Sequence, residues 1–273
     1  MKVGRYLLGL GSMATGILNV VWRDFDPSQQ PVGALSDHIP ARAVLACIAG
    51  VWLMVAGGAV LFRGAAARWG AVALGVFYLF WSLCWAPRFV SATRVLGLRI
   101  PVIFGLLVGV FEPLILVAAA AAIYARMTDR AMSARWPRVV TRSIFGMGSI
   151  VFGVNHLLSM QGVTDMIPKW MPLPANLWAV LTGIAFILAG VAILCGVMDV
   201  LAARLLGVML LVFSALALAP ILIAHPRAHG PWGSNAFNLA AIGAAWVYAE
   251  SVEARDERGS VAEQHGMRSA PLR

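Results

Sequence analysis

A chain of 273 residues in which 60% are hydrophobic and only 12% are charged departs far from soluble domains, where about a quarter of residues are charged. The composition excludes an ordinary water-soluble enzyme. The net charge of +9 at pH 7 does not point to nucleic acid, because no soluble domain remains to carry a basic face, and basic loops beside anionic inner-leaflet lipid account for it.

Apolar runs long enough to cross a bilayer as helix, roughly 17–25 residues, fall in chain order at 5–22, 43–62, 69–87, 101–125, 142–160, 175–197, 203–224 and 235–250. They predict an all-α membrane protein of about eight transmembrane helices. The first run follows Lys2 and Arg5 as a secretion signal would, but no small-x-small cleavage site precedes Trp22, so it reads as a true span. In an eight-span arrangement fourteen Lys and Arg residues, among them Arg5, Arg126, Arg138, Arg142 and Arg255, share the side that holds both termini, against seven opposite. The excess places both termini in the cytoplasm. Cys47, Cys84 and Cys195 all fall within spans without a C-x-x-C pair, which makes them small packing residues.

One pattern is written twice. RYLLGLGSMATG at 5–16 and RSIFGMGSIVFG at 142–153 share R-x-x-x-G-x-G-S-x-x-x-G. Gly50 and Gly57 in the second run match Gly183 and Gly190 in the sixth; Arg68 and Arg204 open the third and seventh; Pro87 and Pro220 sit near their ends. Two parallel four-helix repeats follow, 1–126 and 142–250, because an even number of spans brings each half in from the same side. The basic stretch 127–141 is read as a cytoplasmic linker, and the charged tail 251–273, which has no apolar period, as disordered. At 100° per residue, positions 5, 9, 12 and 16 form one stripe of Arg and small residues, the pattern of a close helix–helix seam in lipid. A phosphate-cradling loop would need a strand before the glycines, and here they lie inside a span.

Three residues stand out chemically. Asn19 and His156 each lie fourteen positions past the arginine of their dodecamer and point inward with the glycine stripe, as interhelical hydrogen-bonding groups or as site residues. Glu112 is the only acid in the middle of a span, and Pro113 beside it leaves the Gly109 carbonyl without its helical donor. Counted from Ala125 and Arg142, Glu112 and His156 both lie about 20 Å from the cytoplasmic side. They are therefore expected to meet as a catalytic polar pair, with Asn19 joining as a ligand-binding group; the competing reading is a protonated glutamate that only fastens helices. Trp81, Trp85, Trp170 and Trp178 crowd the outer ends, either as an interfacial belt or as flat rings lining a mouth for quinone or a lipid head group. His38, His225 and His229, with Asp24, Asp26, Asp37 and Asp165, show no metal-site spacing.

MIPKWMPLPANLWAVLTGIAFILAGVAIL at 166–194, a Pro- and Trp-bearing turn leading into a helix with T-G, resembles the DoxX-like membrane proteins. The R-x-x-x-G-x-G-S-x-x-x-G-x-x-H start of the fifth run is similar to that family's first helix, and DHIPARAVLACIAGVWLMVAGG at 37–58 is a weaker likeness in the first half. Members are typically single four-helix units, so the resemblance implies a fused tandem pair in a bacterial cytoplasmic membrane. Relatives include a subunit of thiosulfate:quinone oxidoreductase and components of complexes that handle thiol stress. The resemblance thus implies a redox-associated subunit that meets quinone or a partner oxidoreductase, with no covalent cofactor. A lipid or small-molecule binding or transport protein, or a scaffold, stays open.

Overall fold

The computed structural model describes residues 3–27, 39–128 and 136–268, and among these every regular element is helical. In chain order the elements are α1 (Val3–Trp22), α2 (Arg42–Leu61), α3 (Ala65–Leu83), α4 (Ala86–Leu96), α5 (Ile100–Arg126), α6 (Trp136–Leu158), α7 (Met160–Thr164), α8 (Ala175–Cys195), α9 (Asp199–Phe213), a π-helical turn (Ser214–Leu218), α10 (Ala219–Ala224) and α11 (His229–Arg268). Residues 129–135 of the basic linker, Asp37 and His38, and residues 269–273 of the tail lie outside the described residues. Five stretches are long and apolar enough to cross a membrane: Arg42–Leu61, Ala65–Leu96, Ile100–Arg126, Ala175–Cys195 and Asp199–Ala224. The helices α1, α6 and α11 carry Ser, Thr, Asn and Gly on buried faces and fall outside that set.

The helices pack as two rings that share an edge. One ring runs α1, α2, α3, α5, α11; the other runs α5, α6, α8, α9, α11; and α5 against α11 is common to both. The last long helix of each half therefore closes the ring of the other. The shared edge is lined by alanine, with Ala118, Ala119, Ala120 and Ala122 of α5 and Ala240, Ala244 and Ala245 of α11 all buried. Such side chains let backbones approach where lipid gives no hydrophobic drive for association.

The dodecamers have a matching role at two seams. A Cβ added to Gly16 would stand 2.5 Å from the Gly50 carbonyl oxygen, and one on Gly57 2.7 Å from that of Gly9. On the other seam a Cβ on Gly153 would meet the Gly183 oxygen at 2.5 Å, and one on Gly190 the Gly146 oxygen at 2.6 Å. Only glycine permits such backbone approach of α1 on α2 and α6 on α8. On its opposite side α1 meets α11 as closely, since a Cβ on Gly11 would lie 2.4 Å from the Ala240 nitrogen. The corresponding Gly148 of α6 faces Phe111 and Ile115 of α5 more loosely, at 3.3 Å.

Two expectations are corrected. The linker was expected to run to residue 141, but α6 already begins at Trp136: Pro137 suits a first turn, where its missing N–H is not needed, and the Thr141 hydroxyl donates to the Pro137 carbonyl at 2.6 Å. The tail expected to be disordered from Ser251 is helical to Arg268. There the good helix formers Glu, Ala and Arg continue a buried helix, Ser251 and Val252 are still packed, and Glu253 pairs with Arg204 of α9 at 2.6 Å. Pro113 does not end α5, which is one helix with Pro113 inside; nearby the Ser82 hydroxyl donates to the Val110 carbonyl at 3.0 Å. Pro220 has the larger local effect. It follows the π-helical turn, and asparagines of α11 serve the carbonyls there, Asn235 Nδ2 donating to Leu218 and Asn238 Nδ2 to Leu210.

Candidate functional site: a polar chamber in the first ring

Thr15 and Asn19 of α1, Tyr78 and Trp81 of α3, Pro113 of α5 and Asp26 after α1 surround a cavity of about 20 Å3, closed by the apolar Leu53, Phe77 and Phe237. That volume suits one water molecule. The α1 glycine stripe aims these groups inward, because residues 12, 15 and 19 lie on one face of a 3.6-residue helix. Asn19 is 3% exposed, and its Oδ1 has no hydrogen-bond partner within the protein. Ser12 Oγ and the Tyr78 hydroxyl share a hydrogen bond of 3.0 Å one turn deeper, and the Thr15 hydroxyl donates to the Gly11 carbonyl. An amide oxygen buried without a partner is costly, and a water in the chamber would satisfy it.

Asp26 reaches the chamber through the turn that ends α1. Arg23 there takes φ 51°, the left-handed conformation that folds the chain back, and the Arg42 guanidinium holds Asp24 with two bonds of 2.6 and 2.9 Å. Phe25 lies on Trp81 with ring centroids 5.2 Å apart, and the Asp26 carboxyl sits beneath the first turn of α11. A Cβ on Gly233 would stand 2.2 Å from the Asp26 carboxyl carbon, so that helix position has to be glycine for the acid to fit. Trp22 stacks on His229 at 4.9 Å and closes the same end.

The register of α5 against α6 corrects the expected pairing of Glu112 with His156. Gly148 lies by Phe111 and Ile115, and Gly105 by Asn155, so Glu112 is level with Gly148 while His156 is level with the residues around Phe104. The offset is about eight residues, roughly 12 Å along the axis. Its cause is the earlier start of α6, which shifts the depth count from Arg142 to Trp136. His156 lies in the second ring, its Nδ1 on the Phe152 carbonyl at 3.0 Å and its ring 5.1 Å from that of Phe186. Glu112 is half-buried and precedes Pro113 of the chamber wall.

The tryptophans divide between places. Trp81 lines the chamber, and Trp85 lies against Gly109, where a Cβ would fall 2.4 Å from its ring. Trp170 is exposed, and Trp178 donates from Nε1 to the Pro172 carbonyl at 2.7 Å, both before or on α8. Sequence reasoning missed Tyr78 and Thr15 and treated Asp26 as a loop acid. The usable signal for the first two was helical spacing: Thr15 is three residues past Ser12 on the seam, and Tyr78 sits one turn before Ser82 among apolar neighbours.

A second polar cluster fastens the opposite end. Arg142 pairs with Asp199 at 3.0 Å, the Tyr248 hydroxyl donates to the same carboxylate at 3.2 Å, and Phe145 packs on Tyr248. The arginine that opens the first dodecamer, Arg5, is buried and lies over Tyr6, its centre 5.2 Å from the ring.

Long apolar helices and small-residue seams define a multi-pass helical membrane protein. Residues 138–224, from the first turn of α6 through α10, match the DoxX family model, so the chain is a membrane protein that carries a DoxX domain. No curated protein and no solved structure matches the chain.

Proposed function

We propose that the chain is an eight-span protein of a bacterial cytoplasmic membrane, two parallel copies of one four-helix unit with both termini inside, and that it serves as a proton-handling subunit of a quinone-linked oxidoreductase. The observation that carries this reading is the water-sized chamber with a buried carboxyl, Asp26, and a buried amide, Asn19, inside an otherwise apolar bundle. Ionisable groups in such a place are costly and mark proton or ion paths by default. A chamber of about 20 Å3 takes a water and no quinone ring, so quinone chemistry belongs to the partner or to the bundle surface. In this role Asp26 accepts or returns a proton, the water held by Asn19 connects it inward, and Glu112 is the next acid along α5. His156, in the other ring, serves a separate path or a structural bond. The matched glycine seams support the tandem reading, because both copies place Gly–Gly contacts seven residues apart on their first two long helices.

The test uses membranes that hold the protein with its partners. Asp26→Asn and Glu112→Gln should each lower quinone-linked activity several-fold at unchanged protein level. Unchanged activity at equal protein level removes the proton role. A second reading, a lipid-binding protein, draws on the apolar groove of about 770 Å3 between α2 and α3, lined by Ile48, Trp52, Val55 and Trp69 among others. Its signature is a specific lipid retained through purification without a redox partner.

A further inference from the structure

The groove between α2 and α3 is made by a contrast of side-chain size. α3 presses onto α2 through small residues, since a Cβ added to Gly70 would stand 2.8 Å from the Ala56 oxygen and from the Val60 nitrogen. Ala59, Ala66 and Gly70 leave a low floor, and Trp52 and Trp69 stand beside it as walls, around a cavity of about 770 Å3. The Trp52 indole is fixed in place, because its Nε1 donates to the Ala73 carbonyl of α3 at 3.0 Å. Both helices belong to stretches long and apolar enough to cross a membrane, and Trp69 is 63% exposed, so the groove opens sideways toward lipid. It reaches from Ala59 back to Val44 on α2, roughly 22 Å of helix, which exceeds one leaflet's share of a hydrocarbon core about 30 Å thick.

One end of this trough is charged. Gly64 takes φ 66° where the chain turns from α2 into α3, and the Arg68 N–H donates to the Gly64 carbonyl at 3.2 Å in the first turn of α3. The Arg68 guanidinium lies over the Trp69 ring, 5.4 Å from its centroid, which puts a cation at the mouth of the groove. Arg63 is exposed in the same turn, and among the described residues no carboxylate forms an ion pair with Arg63 or Arg68. At the far end the arginine, Arg42, is held by Asp24 at 2.6 Å. Gly9 of α1 abuts Gly57 and Leu61 of α2, so the charged end lies where α1 begins. In the topology proposed above that is the cytoplasmic end, whose leaflet holds anionic lipid.

We propose that the groove holds an anionic phospholipid, one acyl chain lying on the floor between Trp52 and Trp69 and the headgroup phosphate on Arg68 and Arg63. The apolar trough accepts any acyl chain, so selection rests with the charged end. The planar forks of two arginines match phosphate oxygens, and they repel the ammonium of a zwitterionic headgroup. The inference rests on the lipid-binding reading of this groove and uses no part of the proton path.

The test is native mass spectrometry of the full chain in a mild detergent, offered phosphatidylglycerol and phosphatidylethanolamine with the same acyl chains in equal amounts. The wild-type protein should retain one phosphatidylglycerol in several-fold excess over phosphatidylethanolamine, and excess inorganic phosphate should not displace it, because the acyl chain is part of the contact. Arg68→Gln and Arg63→Gln should bring the two lipids to equal occupancy, and Arg68→Lys should keep part of the preference. Ala66→Phe, at an exposed position of the groove floor, should lose both lipids at an unchanged melting temperature. Arg63 is an exposed turn residue, so its variant keeps the test open should the Arg68 variants fold poorly. A lipid retained without headgroup preference, or with the same preference in both glutamine variants, overturns the inference and leaves the lipid-binding reading standing. No lipid retained, or a lipid-free dimer joined through this face, overturns both.

Discussion

His229 shows how a single residue couples the chamber's closed end to pH. It stacks on Trp22, and its Nε2 is buried without a hydrogen-bond partner. Burial pushes its pKa below the usual histidine value, and the nearby Asp24, held by Arg42, only partly offsets that. The folded state thus binds the proton less readily than the unfolded state. Stability contributed by neutral His229 is present above the unfolded value of about 6.5 and is lost as pH falls below it toward the folded value. Melting temperature should drop on acidification from pH 7 to pH 5, and His229→Phe, which keeps the ring on Trp22, should lose part of that drop. An identical pH profile in the variant contradicts this assignment. Of the chamber residues, Asn19 was legible because its spacing from Arg5 repeats the stripe. Asp26 was not, since nothing local tells that residues 23–27 turn back beneath Gly233.

Between elements the glycine seams hold the strongest sequence signal. Gly153 and Gly183 meet backbone to backbone, and a methyl group on Gly153 falls 2.5 Å from a carbonyl oxygen and 2.6 Å from Ile187. Gly153→Ala should cost about 1–3 kcal/mol through overpacking, read as a lower melting temperature in detergent. Gly58 on α2 is the control: a Cβ there meets only the Met13 sulfur at 3.8 Å, and Gly58→Ala should be neutral or stabilise by up to about 1 kcal/mol through helix propensity. Equal losses at both positions contradict the seam. The stripe of 5, 9, 12 and 16 named this face correctly because helical periodicity alone determines it. Span depth was less legible: the count for Glu112 and His156 needed the true start of α6, and the polar WPRVVT stretch hid a helical turn that Pro137 and Thr141 build locally.

For the whole molecule, the rings make each half depend on the other. α1 packs on α11 and α6 on α5, so residues 1–126 alone lack the helix that covers Gly4 and Gly11, and residues 136–268 alone lack the cover of Gly148. Each half expressed alone should be degraded or self-associate to fill the missing place, whereas the two expressed together should co-purify as one complex. Stable monomeric halves contradict the shared-edge architecture. Hydropathy pointed to a helical membrane protein, and five of its stretches are long and apolar enough to cross a membrane, but this exchange of last helices was not readable: it rests on which alanine and glycine faces meet, and α5 and α11 offer small residues on several faces.

The central claim, a DoxX-domain membrane protein that handles protons for a quinone-linked partner, meets its most direct test in the wild-type protein extracted with a mild detergent and assayed by mass spectrometry for bound quinone, lipid and protein. The account predicts an oxidoreductase subunit or quinone in stoichiometric amount. A specific lipid alone, with neither redox partner nor quinone, contradicts it and favours the lipid-binding reading.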